Sequence, residues 1–408
     1  MKIAVVSEHA SPLALLGGDD AGGQNVHVAE LARALGRRGV EVVVHTRRDD
    51  PALPRRIRFA PNVVVDHVDA GPPEPLPKDD LFPLMGEFAD DLARCWQDDQ
   101  PDAVHSHFWM SGMAALDAAT AVDVPVLHTY HALGAEKRRQ QGLADTSPPQ
   151  RIAVERRIAQ EADALVATTR TEAGVLTSMG ADPDRVAVVP CGVDLDRFRP
   201  DAGEQRSGAD IAGPRRLRHR VVAASRLVPR KGVADLIRAL PLVPDVELVV
   251  AGGGPAGMVL DEPEGARLLD LAASSGVAGR VSLLGAVPRE DMPDLLRSAD
   301  VVACCPWYEP FGLVAVEAMA CGVPVLATSV GGLAESVVDG VTGVLVQPRD
   351  HRSIARGLLD LLADERRRTR MGHHATLRSL SYGWDDVAGR TLDVVAGCRS
   401  ARTSRGVA

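Results

Sequence analysis

The sequence predicts an α/β protein made of two tandem domains, each a parallel sheet covered by helices on both faces. Short Val, Ile, Leu and Ala runs alternate with segments of helical period, and the runs are nearly continuous in apolar residues, as strands buried on both faces require. The alternation halts near Pro190 and resumes at Arg220, which makes two series rather than one.

In the first series, strands are expected at 3–7, 40–46, 103–106, 124–129, 164–168 and 185–189, with helices at 25–38, 83–97, 112–121, 151–162 and 172–179. The Pro, Gly, Asp and Arg of 190–219 read as a linker. The second series places strands at 221–225, 247–251, 281–284, 301–304, 325–328 and 343–346. Its helices fall at 233–240, 266–275, 289–298, 312–321, 333–339 and 353–363. A last helical stretch opens at Ser381 and ends in a polar Arg/Ser tail that packs on one of the domains. Open parallel sheets bind ligands outside the carboxyl ends of their strands, so two facing domains predict a substrate cleft between them.

The 408 residues carry 46 Lys and Arg against 55 Asp and Glu, a net charge of −9, with 45% hydrophobic and only 3% aromatic residues. That balance supplies neither the basic footprint nor the stacking platform of nucleic-acid binding, so nucleic acid is excluded as a partner. No apolar run approaches the ~20 residues of a membrane span, and no signal peptide precedes the first strand. The Arg-rich stretch 137–157 is the one segment that would meet an anionic membrane, but its interspersed Glu, Asp and Pro favour a solvated or acceptor-side face. The six cysteines show no metal-ligand spacing and read as reduced core thiols of a cytoplasmic protein. Oligomeric state is left open, a homodimer being compatible with the sequence.

Four motifs carry the chemistry. Glu309-Pro-Phe-Gly-Leu-Val-Ala-Val-Glu317 puts one carboxylate in a loop and a second about 7–8 Å along the following helix, with the N–H groups of Phe311, Gly312 and Leu313 between them. Such a pair can grip two hydroxylated parts of one ligand. In Val221-Val-Ala-Ala-Ser-Arg226-Leu-Val-Pro-Arg-Lys231-Gly232, Arg226 leaves a strand end and Lys231, one of only four lysines, precedes a helix, so both can converge on a pyrophosphate. Gly17-Gly18-Asp19-Asp20-Ala21-Gly22-Gly23-Gln24-Asn25 is a glycine-rich loop before a helix, open to an anion or a sugar. His105-Ser-His107 and His128-Thr-Tyr-His131 follow neighbouring strands, and they read as substrate contacts because no carboxylate or third ligand is spaced to complete a metal site. Gly252-Gly253-Gly254-Pro255-Ala256-Gly257 fits a dinucleotide fingerprint, the basis of a rival dehydrogenase reading. Pro255, Pro263 and Gly265 delay its helix, however, and no acidic residue ends the next strand.

Taken together, these motifs resemble the GT4-type retaining glycosyltransferases of the GT-B fold, which have two Rossmann-like domains facing across a cleft. The similarity spans about residues 1–390. The family's EX7E motif stands as Glu309 and Glu317, its diphosphate Arg and Lys as Arg226 and Lys231, and its linker as Cys191-Gly-Val-Asp-Leu-Asp-Arg-Phe198. Within the family, Ser7-Glu-His-Ala-Ser-Pro12, Gly71-Pro-Pro-Glu-Pro-Leu-Pro-Lys78 and Ser106-His-Phe-Trp-Met-Ser-Gly112 are similar to the branch that transfers N-acetylglucosamine from UDP to inositol phosphate in mycothiol synthesis and, more loosely, to sucrose-phosphate synthases.

The resemblance implies an acceptor domain over 1–195 with 383–408 crossing back onto it, and a nucleotide-sugar domain over 196–382. It implies Asn25, Lys78 and Arg151 as acceptor contacts, Gly23 beside the donor, and His131 touching the donor sugar. It further implies Glu317 on the ribose, Glu309 with the amides of Phe311, Gly312 and Leu313 on the sugar hydroxyls, and Arg226 and Lys231 on the departing diphosphate. No metal or other cofactor is expected, because those cations replace one. The reaction expected is transfer of a hexose or N-acetylhexosamine, most simply from UDP, to a small polyol, cyclitol or sugar phosphate. Phe108 and Ala132 stand where that branch has hydroxyl-bearing Tyr and Thr, which weakens a phosphate site. The alternatives are a sugar-nucleotide epimerase or hydrolase of the same fold, and a catalytically silent nucleotide-sugar-binding regulator.

Overall fold

The computed structural model describes residues 1–13, 22–142, 145–200, 211–255 and 257–406. They fall into two compact units: the first joins residues 1–13 and Gly23–Gly192 to 384–406, and the second is built on Val193–Gly383. The glycine-rich loop's residues 17–21 lie outside the described residues.

The first unit runs β1 (Lys2–Val6), α1 (Gly23–Arg37), β2 (Glu41–Arg47), β3 (Arg56–Ala60), β4 (Val63–Val68), α2 (Met85–Asp98), β5 (Ala103–His107), α3 (Trp109–Ala119), β6 (Val126–Thr129), α4 (Gly134–Gln141), α5 (Arg151–Glu161), β7 (Ala164–Ala167), α6 (Arg170–Ser178) and β8 (Val186–Val188). Its sheet has the order β3-β4-β2-β1-β5-β6-β7-β8 and is parallel except where β3 pairs antiparallel with β4. Strand order therefore reverses between β1 and β5. Burial on both faces explains the unbroken apolar runs, and the polar residues inside β5 and β6 satisfy one another across the ladder. His105 Nε2 pairs with Thr129 Oγ1 at 2.9 Å, and Ser106 Oγ with His128 Nδ1 at 2.8 Å.

The β3–β4 hairpin is a correction to the sequence reading, which placed no strand between 47 and 83. Its signal is masked because β3 alternates exposed arginines with half-buried residues, and Asp66 and His67 interrupt the apolar run of β4. Asp66 is fully buried and accepts from Arg55 through both Nε and Nη2 at 2.9 Å, from Arg56 Nε at 3.2 Å, and from His45 Nδ1 at 3.0 Å. That network ties the hairpin to β2.

The second unit runs β9 (His219–Ala224), α7 (Val233–Ala239), β10 (Val246–Ala251), α8 (Pro263–Ser274), β11 (Val281–Gly285), α9 (Met292–Arg297), β12 (Val301–Cys304), α10 (Leu313–Ala320), β13 (Val325–Thr328), α11 (Leu333–Ser336), β14 (Gly343–Val346), α12 (His351–Ala363) and α13 (Glu365–Ser379). Its all-parallel sheet has the order β11-β10-β9-β12-β13-β14, reversing between β9 and β12. Two helix expectations change here: α11 stops three residues earlier than predicted, and α13, whose arginine-rich first turns hide its buried Met371 and Ala375, was not foreseen.

A final helix, α14 (Trp384–Gly406), belongs to the first unit. Its Trp384, Val387, Ala388, Val395 and Cys398 share one core with Ile3, Val5, Val28 and Leu31. Among the described residues no helix is long and apolar enough to cross a membrane.

Because Asp66 is the shared acceptor of a buried network, Asp66→Asn should destabilise the first unit by about 3 kcal/mol, the lower end expected for a broken buried ion pair whose arginines still reach water. The check is the urea midpoint of that unit's transition, and an unchanged midpoint would mean the β2–β4 ladder alone holds the hairpin.

Candidate active site

Where strand order reverses, the connections leave two neighbouring strands toward opposite faces, and the strand ends between them stay open to a ligand. Both groups of residues singled out from the sequence sit at such points.

In the second unit the chain leaves β9 through Ser225 and the exposed Arg226, makes a 3-10 turn over Pro229–Lys231, and enters α7 through Gly232 at φ +75°. A Cβ on Gly232 would lie 1.9 Å from the Cys305 carbonyl oxygen, so only glycine lets this turn press against the end of β12. Lys231 is thereby delivered to Glu309: its ammonium donates to Glu309 Oε2 in a close, part-buried contact. The loop bearing Glu309 is held from behind. Gly332 N–H donates to the carbonyls of Glu309 and Pro310, both at 3.1 Å, and a Cβ on Gly331 would meet the Glu309 carbonyl at 2.1 Å.

Phe311 and Gly312 are buried and Leu313 half-buried at the start of α10. Glu317, one turn in, is 2% exposed, and its Oε1 lies 2.5 Å from Arg289 Nη2. The Arg289 guanidinium stacks 4.6 Å over the Phe198 ring. Arg289 is a residue that sequence reasoning missed; no local motif marks it, and only the fold carries it to Glu317. Burial pushes the Cys304 thiol up to about 12, with the nearby Glu309 charge adding to the effect, so it is no nucleophile at neutral pH.

The Gly252-to-Gly257 fingerprint does not open a helix: a separate turn over Val259–Asp261 intervenes, and α8 begins only at Pro263. No helix N-terminus stands behind these glycines to receive a pyrophosphate.

In the first unit, Gly23 is the exposed first residue of α1 and Asn25 is buried two residues on, donating through Nδ2 to the Ser11 carbonyl at 3.1 Å. Lys78 opens a 3-10 turn over Lys78–Leu84, and Arg151 opens α5. The fold brings both to Phe108, with Lys78 Nζ 5.8 Å and Arg151 Cζ 5.0 Å from the ring centroid. Phe108 sits at φ +80°, an unfavourable conformation for an aromatic residue, at the open end of β5. Arg151 is 2% exposed and heavily committed: Nε donates to Glu155 at 2.7 Å, Nη2 to the Ala132 carbonyl at 2.6 Å and Nη1 to Ser147 Oγ at 3.2 Å. At the end of β1, the buried Glu8 carboxylate orients His9 through a 2.6 Å contact with Nδ1, and the His9 ring meets Phe108 edge-on at 4.9 Å.

The histidines form one cluster. His107 Nδ1 and His131 Nε2 are 2.9 Å apart, and His131 takes φ +59°, a second strained residue at a strand end. The sequence reading found no third histidine to join them; α1 supplies it. His27 lies edge-on to His131 at 4.9 Å and 5.5 Å from His107, centroid to centroid, and Trp384 closes over it at 5.3 Å. A single His on a helix carries no sequence signal for this, because the juxtaposition depends on how α1 packs against β5.

Comparison with known proteins follows the same division. The model of Glycosyltransferase Family 4 matches residues 21–197, and that of Glycosyl transferases group 1 matches residues 215–378. A D-inositol 3-phosphate glycosyltransferase of Streptomyces scabiei is 40% identical over 407 residues, covering 96% of this chain and 90% of that protein. Another so named, from Xylanimonas cellulosilytica, is 41% identical over 423 residues, covering 99% and 98%. Among solved structures, sucrose-phosphate synthase of Thermosynechococcus elongatus superposes with a TM-score of 0.89 at 30% identity, covering 98% of this chain and 99% of that one. HepE of Anabaena, solved with UDP and glucose, shares the fold with a TM-score of 0.74 at 22% identity, covering 97% and 100%.

Burial holds the core histidines neutral. It lowers His105 and His128 to about 3, each further depressed by a neighbouring imidazole with which it would compete for a proton, His27 and His105 respectively, and His27 to about 4. In the unfolded chain these groups protonate near about 6.5. Their neutral burial therefore contributes stability above that value, and the contribution is lost as pH falls toward 4 to 3. The unfolding temperature should drop steadily below pH 6.5 in a pH series of thermal melts, and His105→Phe should flatten the slope. A slope unaltered by that substitution would assign the acid sensitivity to other groups.

Proposed function

The chain belongs to the GT4-type GT-B glycosyltransferases, and from that premise we propose that it moves a hexose or N-acetylhexosamine from a UDP-linked sugar to a small polyol, cyclitol or sugar-phosphate acceptor, with retention at the anomeric carbon. The observation that carries this reading is the meeting of Lys231 with Glu309, and of Arg289 with Glu317, at the strand-order reversal of the second unit. Two cations and two carboxylates, each held by its neighbour, match a ligand that is anionic at one end and hydroxylated at the other.

In this reading Glu317 takes the ribose hydroxyls, and Glu309 with the amides of Phe311, Gly312 and Leu313 takes those of the sugar. Arg226 and Lys231 stabilise the charge that develops on the diphosphate as the bond from the anomeric carbon breaks. The acceptor hydroxyl oxygen bonds to the same face of that carbon, and its proton passes to the phosphate oxygen that the broken bond frees. The chain's own cations fill the role a metal would have. Gly23 lies beside the donor and His131 contacts its sugar, while Asn25, Lys78 and Arg151 hold the acceptor.

The acceptor site is only partly a phosphate site. Arg151 spends three of its five N–H donors within the protein, and Phe108 carries no hydroxyl. Lys78, over the same Phe108 ring, is the second cation of the acceptor side. The relatives' names put inositol phosphate first among acceptors to try, with free cyclitols beside it.

Ligand binding raises the unfolding temperature by mass action. UDP and UDP-sugars should shift it where GDP and ADP do not, and the matching acceptor should enlarge the shift; equal silence for every nucleotide would remove the donor-site argument. Glu309→Gln should lower kcat by about 100-fold or more, the scale of losing a transition-state contact, and near-normal transfer by that variant would refute its role. Lys78→Ala should raise the acceptor KM by about tenfold, the worth of one charged hydrogen bond, with the donor KM unmoved. An equal rise in both would take Lys78 out of the acceptor site.

A further inference from the structure

We propose that His27, His107 and His131 form a site for one divalent transition-metal ion of the zinc type, and that filling it switches transfer off by occupying His131. The site lies wholly within the first unit. The inhibitory half rests on assigning His131 to the donor sugar; the binding half does not.

The three side chains come from three different segments: α1, the last residue of β5, and the loop two residues beyond β6. One ring nitrogen from each lies within 4.8 Å of those of the other two. A tetrahedral ion with bonds of about 2.0–2.1 Å needs its nitrogens about 3.3 Å apart. The 2.9 Å contact between His107 Nδ1 and His131 Nε2 is a few tenths of an ångström short of that spacing, so these two rings part slightly while the His27 nitrogen, within 4.8 Å of both, closes in.

One further nitrogen points to a missing partner. His27 Nδ1 is buried and makes no hydrogen bond. Buried imidazole nitrogens normally find a donor, an acceptor or a metal.

The ligand chemistry selects the ion. Three imidazoles without a carboxylate suit Zn²⁺, Co²⁺, Ni²⁺ or Cu²⁺ and disfavour Mg²⁺ and Ca²⁺, which want oxygen. His27 and His107 are buried while His131 is half-buried, which gives the ion an entry side and leaves its fourth position to water. Trp384 lies edge-on to His27 at 5.3 Å and supplies an aromatic wall. A His131 ring held by a metal through Nε2 is withdrawn from a sugar.

Chelator-treated full-length protein titrated with Co²⁺ should show one equivalent of a tetrahedral-type visible band that Zn²⁺ displaces. His27→Phe should weaken Co²⁺ binding by about 10- to 100-fold. Absence of the band, or the same band in His27→Phe, would overturn the site. A measurement that needs no variant is X-ray absorption of the Zn²⁺-loaded wild type. A shell containing three imidazole nitrogens is expected, and sulfur or all-oxygen ligation would refute the assignment. His27 is assigned no substrate contact, so metal-free His27→Phe should transfer sugar like the wild type and keep most of that rate at a Zn²⁺ concentration that stops the wild type. Zn²⁺ that binds yet leaves wild-type transfer unchanged would overturn the switch. Should the wild type transfer no sugar at all, the fault would lie with the transferase reading, and the Co²⁺ band would still decide the site.

Discussion

Reversal of strand order within a parallel sheet is the constraint from which the chemistry of this protein follows. Between β1 and β5, and again between β9 and β12, strand order reverses, and at such a point neighbouring connections leave toward opposite faces of the sheet. Backbone amides, strained residues and charged side chains can be exposed there without unpicking a core. Phe108, Lys231 and Glu309 stand on loops that leave these ends, and His131 on the loop that leaves the neighbouring β6, while the strands beneath them are buried almost throughout. The sheet supplies rigidity, and the reversal supplies access.

Charge at the second unit's reversal is paired before any ligand arrives. Lys231 rests on Glu309 and Arg289 on Glu317, each pair partly out of water. Such pairs limit the desolvation that an anionic, hydroxylated ligand must meet, because the groups it replaces are already dry and already aimed. Their geometry depends on close backbone approaches: Gly232 against Cys305 brings the lysine in, and Gly331 against the Glu309 carbonyl holds the loop that carries the carboxylate. Arg289 is steadied by the Phe198 ring, so a residue from the segment that opens the second unit steadies the basic partner of Glu317.

What could be read from the sequence was what local pattern encodes. The apolar runs gave both parallel sheets, and the Glu309-to-Glu317 and Arg226-to-Lys231 segments stood out because their residues are near one another along the chain. The β3–β4 hairpin was missed because its burial is paired with charge: Asp66 is as buried as any valine, but it is bound by Arg55, Arg56 and His45 and so interrupts the apolar pattern. Arg289 and His27 were missed for a different reason. Each reaches its partner only through helix packing, and nothing within ten residues of either records that destination. Arg151 shows the converse, a motif residue visible in sequence whose charge the fold largely spends on Glu155.

The first unit is not a continuous stretch of chain. Trp384, Val387 and Ala388 belong to the same core as Ile3 and Val5, and the Trp384 indole closes over His27, yet all of Val193–Gly383 is synthesised between them. During translation the second unit therefore has its whole sequence available first. The earlier-made first unit waits on the ribosome with one wall of its core open until α14 emerges. Apolar surface on α1 and β7 is exposed throughout that interval, so the unit made first is the last to become complete, and the histidine cluster is the part of it that closes at the end.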